Sequence, residues 1–69
     1  MEERATIGET LRALRKSKGH TTQEVADALK CNRPYLSQIE NDRQDVSFRK
    51  VEELVNFYGY EIAIVQRRS

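Results

Sequence analysis

Apolar residues recur along this chain at spacings that predict four helices followed by a strand. Ile7, Leu11 and Leu14 stand at i, i+4 and i+7, the stripe of a first helix. Thr6 and Glu9 precede it at capping-box spacing, in which the hydroxyl takes one free backbone N–H and the carboxylate another. Arg15, Lys16 and Lys18 crowd its C-terminal end, where the helix dipole favours positive charge, and Gly19 supplies a left-handed stop. A second helix is predicted over residues 21–30, opened by Thr21 and Glu24 at the same spacing and striped by Val25, Ala26 and Leu29. The third begins at Asn32, a good N-cap, with Pro34 in its first turn, where no intrahelical hydrogen bond is lost. Its Leu36 and Ile39 point one way; Arg33, Ser37 and Gln38 point largely another. Ser47 caps a fourth helix whose stripe is Phe48, Val51, Leu54, Val55 and Tyr58, with Glu52 and Glu53 outward and Gly59 at its end. Residues 60–66, YEIAIVQ, are rich in β-branched residues and alternate in character. They read as a strand with Tyr60, Ile62 and Ile64 on one face and Glu61, Ala63 and Val65 on the other.

Only Lys30 and Cys31 separate the second and third helices. Helices joined so tightly cross at a steep angle, the helix-turn-helix arrangement. In that motif the second helix lies in a DNA major groove with its N-terminal residues towards base edges. Arg33 has the donors to bond guanine twice, and Gln38 can pair with adenine through one donor and one acceptor. Every soluble helix has a polar face, however, so this pattern taken alone describes an ordinary wet surface equally well.

Sixty-nine residues allow one domain with one small core. The net charge of +1 does not by itself announce nucleic acid. The distribution says more: Arg4, Arg12, Arg15, Lys16, Lys18, Lys30, Arg33 and Arg43 precede a more acidic section, so one side can be basic on a nearly neutral molecule. A single cysteine rules out an internal disulfide and fits a reducing cytoplasm. One histidine and one cysteine without clustered partners argue against a metal site, and no cofactor is expected. No run is apolar enough to cross a membrane and no signal-peptide pattern is present. No nucleophile stands with a base and no glycine loop cradles phosphate, so no enzyme is expected.

Residues 7–60 resemble the helix-turn-helix regulators of the phage repressor and Cro type. The matching pieces are LRALRKSKG at residues 11–19, TQEVADAL at 22–29, NRPYLSQIEN at 32–41 and the capped helix SFRKVEELVNFYG. The resemblance implies an all-α fold, a compact helical bundle around a central helix-turn-helix like the lambda repressor DNA-binding domain. It also implies roles for particular residues. Arg15 pairs with Glu40 and locks the first helix to the recognition helix. Arg33, Pro34, Ser37 and Gln38 stand at base-reading positions, Arg33 and Gln38 foremost. Thr22 replaces a glutamine that touches the DNA backbone, and Gln23 beside it is a substitute. Asn32 caps and reaches the backbone, Tyr35 divides between phosphate and core, and Asn41 and Arg43 contact phosphates. Lys30 and Asp42 stand where the family often has glycine, which asks an unusual backbone of both. His20 and Cys31 are expected to pack, Cys31 as a small hydrophobe.

The C-terminal run departs from relatives that continue into a fifth helix. A lone strand leaves its backbone groups unpaired, so the expectation is antiparallel pairing with the same strand of a second copy. Similar strands occur in some toxin–antitoxin repressors of this family. The expected organisation is a flexible N-terminus at residues 1–5, a DNA-binding domain at 6–59, and a dimerisation strand and tail at 60–69 contributing Tyr60, Ile62 and Ile64. The expected function is that of a homodimeric, sequence-specific repressor on double-stranded DNA with a palindromic operator. The alternatives are an antitoxin that also binds a toxin protein, and a protein-interaction module without DNA binding.

Overall fold

The same closing device recurs at every helix. The computed structural model describes residues 5–63, which form α1 (Ile7–Ser17), α2 (Thr22–Ala28), α3 (Arg33–Glu40) and α4 (Phe48–Phe57). At the N-terminal ends Thr6, Thr21, Asn32 and Ser47 each accept a bond from the backbone N–H three residues on. Glu9 and Glu24 complete capping boxes by accepting from the backbone of Thr6 and Thr21. That backbone bond is the main reason the Glu24 carboxyl titrates below its ordinary value.

At the C-terminal ends all four helices finish in the same paired-bond turn. The residue after the cap has positive φ: Gly19 (76°), Lys30 (59°), Asp42 (58°) and Gly59 (88°). The next residue's N–H reaches back five positions, as in His20 to Arg15 and Cys31 to Ala26. Lys30 and Asp42 thus occupy the left-handed region that an L side chain resists by roughly 1–2 kcal/mol. Lys30→Gly is expected to raise the unfolding free energy by about 1 kcal/mol, read as a higher urea midpoint at constant m. Asp42→Gly is expected to lower it despite the same relief. The Asp42 carboxylate accepts the Gly8 N–H at 3.0 Å and the Thr6 hydroxyl, and glycine supplies neither bond.

The core comprises Leu11, Val25, Ala26, Leu36, Ile39, Leu54, Val55 and Tyr58, one or more from each helix. α1 and α2 both pack on α3, and α4 closes the other side of α1. Leu14, Leu29, Cys31, Tyr35, Val46 and Val51 seal its edge. His20 packs as expected, its ring 5.5 Å from Phe57 and 6.4 Å from Tyr58.

The Tyr58 hydroxyl is buried and has no hydrogen-bond partner among the described residues. Burial, aided by the negative charge of Glu40 and opposed by Arg15, pushes this phenol from 10 up to about 12. Between those values the unfolded chain releases a proton that the folded chain keeps, so stability falls as pH rises through that window and is fully present below it. Tyr58→Phe removes this alkaline slope; unfolding curves of both proteins from pH 9 upward check it.

Several expectations need correction. Ile7 and Phe48 belong to the apolar stripes yet are 56% and 63% exposed. Each is the first residue of its helix, and Ile7 lies at the rim of a groove between α1 and α4. The second helix is shorter than residues 21–30: Thr21 is its cap, and the positive φ of Lys30 has already ended it. The expected strand is a different case: within the single chain residues 60–63, its described part, have no ladder neighbour, and the pairing expected of them is with a second copy. In the single chain Ile62 packs against the core, and Tyr60 is partly exposed with Lys18 Nζ 5.2 Å from its ring centre. Ile64 and the remainder of the proposed strand lie outside the described residues, as do residues 1–4 of the proposed flexible N-terminus.

Candidate nucleic-acid interface

α3 is two-sided. Leu36, Ile39 and Glu40 are buried, and Tyr35 is half-buried against the core. Asn32, Arg33, Pro34, Gln38 and Asn41 are exposed, with Ser37 half-buried among them. At ~100° per residue, Arg33, Pro34, Ser37 and Gln38 cover about 140° of the helix circumference, a continuous polar strip. Asn32 binds the Tyr35 N–H through Oδ1 at 2.7 Å, which fixes the first turn and leaves its amide nitrogen to donate outward. Pro34 sits in that first turn, where its missing N–H breaks no helical bond.

Two devices on α1 hold this strip in place. Arg15 grips Glu40 through one guanidinium edge, Nε donating to Oε2 at 2.8 Å and Nη2 to Oε1 at 3.0 Å, and its Nη1 donates to the His20 carbonyl at 3.1 Å. Both partners are buried, and the Glu40 bond drives the Arg15 pKa further up. The second device is Gly8, also buried, facing the end of α3. A Cβ there would lie 2.6 Å from the carbonyl oxygens of both Ile39 and Glu40. With no side chain, Gly8 lets α1 approach α3 closely enough for its N–H to reach Asp42.

The remaining candidate residues differ in readiness. Thr22 is half-buried in the first turn of α2; Gln23 is exposed, with its amide nitrogen bonded to Asp27 Oδ1 at 2.8 Å. Asn41 donates to the Ser37 carbonyl at 2.9 Å, so its amide is already engaged along α3. Arg43 is exposed just beyond the left-handed turn, its backbone N–H bonded to Gln38. Lys50, half-buried on α4, is held by Glu53 at 2.6 Å, and that contact raises its pKa.

Sequence reasoning passed over Gly8 and the second task of Asp42. It asked only an unusual backbone of Asp42 and gave its carboxylate no partner. That carboxylate is in fact turned towards the start of α1. The available signal was a glycine inside an otherwise good helical pattern, which often marks close approach of another backbone. Among the described residues no three metal-ligating side chains gather, and no helix is long and apolar enough to cross a membrane.

Residues 6–63 match a helix-turn-helix domain family. The transcriptional regulator ClgR of Mycobacterium tuberculosis is 41% identical over 62 residues, covering 90% of this chain and 55% of that protein. The HTH-type transcriptional regulator DdrOP3 of Deinococcus deserti is 33% identical over 54 residues, 78% of this chain and 42% of its own. The immunity repressor protein of Bacillus phage phi105 is 28% identical over 60 residues, 87% of this chain and 42% of its own. The chain thus spans about half the length of the relatives it matches. None of these proteins is named for an enzymatic activity, and no solved structure matches significantly. With four capped helices, a short turn between α2 and α3 and a match across residues 6–63, the chain belongs to the helix-turn-helix domain family, among regulators of the phage repressor and Cro type.

Proposed function

We propose that this chain is a sequence-specific DNA-binding regulator of transcription, working in the cytoplasm as a homodimeric repressor. One observation carries the reading: α3 offers a continuous polar strip outward while its reverse face is buried and clamped by the Arg15–Glu40 pair. A rigid rod with Arg33 and Gln38 on its outer side has the donors and acceptors that base edges require. Residues 6–59 form the reading unit, and the segment from residue 60 pairs with its counterpart in a second copy. Two copies of α3 then enter successive major grooves of a palindromic operator, about 34 Å apart. Thr22, Gln23, Asn32, Tyr35, Asn41 and Arg43 set the register on phosphates, which position a protein without reading sequence. Asn41 exchanges its bond to Ser37 for that contact.

The test is a gel shift with DNA from upstream of the chain's own gene, titrated against unrelated DNA over a salt series. Arg33→Ala is expected to weaken operator binding roughly tenfold, about 1.4 kcal/mol, while hardly changing binding to unrelated DNA. Arg43→Ala weakens both alike and reduces the salt slope by about one. If no duplex is retarded, the interaction-module reading replaces this one.

A further inference from the structure

A groove of about 150 Å³ runs between α1 and α4, lined by Ala5, Ile7, Thr10, Leu11, Val51 and Val55. Ile7 at its rim is more than half exposed, and Phe48 continues the Val51–Val55 stripe of α4 into solvent. The two helices run in the same direction. Leu11 and Val55 share the groove, and further along both helices Lys18 meets the Tyr60 ring. The groove therefore leads towards the point where the chain leaves α4. There the left-handed Gly59 turns the backbone, closing Tyr60 N–H onto the Val55 carbonyl. The next three residues alternate: Glu61 exposed, Ile62 half-buried against the core, Ala63 exposed.

We propose that this groove seats the chain's own C-terminal segment, with Ile64 inserted beside Val51 and Val55. Continued alternation turns residue 64 the same way as Ile62. From Tyr60, residue 64 can lie up to about 13 Å away along an extended chain, whereas Val55 and Val51 stand about 8 and 14 Å back along α4. Ile64 can therefore meet Val55 and the edge of Val51, and this seat leaves the polar run Gln66, Arg67 and Arg68 free to meet water. Covering Ile7, Val51 and Ile64 together removes apolar surface from solvent, the dominant favourable term in a core this small. The seat uses one face of the segment, whereas the proposed dimer uses its edge. The inference therefore stands or falls apart from the dimer.

The test places Val51→Cys and Ile64→Cys in a Cys31→Ser background and bridges them with a short bismaleimide at low protein concentration. The expected product is a cross-linked chain of monomer mass. A product of twice that mass overturns the assignment and gives the groove to the segment of a second copy. No bridged product overturns the seat altogether. A second measurement needs no cross-link. Ile64→Asp is expected to lower the thermal midpoint by about 4–8 °C, while Val65→Asp, on the opposite face, leaves it nearly unchanged. Equal shifts from both variants overturn the proposal. Sedimentation of the same variants reads the oligomeric state separately.

Discussion

Arg15→Ala is expected to lower the unfolding free energy by about 3–5 kcal/mol. The arginine makes three hydrogen bonds, two to Glu40 and one to the His20 carbonyl, and both members of the pair lie inside the fold. Truncation removes those bonds and leaves the Glu40 carboxylate buried without its counter-charge, which is the larger loss. A chain of 69 residues at typical stability has only about 3–10 kcal/mol in total. Arg15→Ala is therefore expected to populate the unfolded state near 37 °C, seen as a large drop in urea midpoint and loss of DNA retardation. Replacing both partners by Met tests what the pair is for. Buried ion pairs exchange for apolar side chains at little net loss, so stability largely returns. If operator binding does not return with it, the pair orients α3; if binding recovers fully, the pair serves stability alone.

Gly8→Ala is expected to destabilise the chain at the upper end of the ~1–3 kcal/mol typical of overpacking. At most positions inside a helix this change stabilises, by about 1 kcal/mol. Here the added methyl meets the Ile39 and Glu40 carbonyl oxygens at 2.6 Å and Asp42 Oδ1 at 2.8 Å. The two carbonyls are backbone and cannot swing aside as a flexible side chain does. α1 must therefore back away from α3, straining the Gly8–Asp42 bond. The midpoint of urea unfolding checks the sign, because helix propensity alone moves it the opposite way. A parallel gel shift reads whether the displaced α3 still meets its operator.

What could be read from the sequence was local. Thr6 with Glu9, Thr21 with Glu24, Asn32 and Ser47 bond only three residues away, so spacing alone marks each helix start. The inner face of α3 was equally legible, because Leu36 and Ile39 repeat at helical period. Ile7 and Phe48 misled because periodicity identifies a face and not where a neighbouring helix stops covering it. Asp42 and Gly8 are 34 residues apart, and no pattern within α1 or in the turn after α3 links them. Arg15 and Glu40, 25 apart, were joined only through the family resemblance. Ile62 was assigned to a strand face because alternation is visible in sequence, whereas the surface that receives it is not.

The four helix endings also bear on how fast the chain finds its fold. Each terminus is sealed by its own immediate neighbours, so the search is over local geometry and needs few distant encounters. Low contact order of this kind accompanies folding in microseconds to milliseconds. What remains for the barrier is the docking of preformed turns, above all α1 onto the end of α3, where the chain must close loops of 25 and 34 residues.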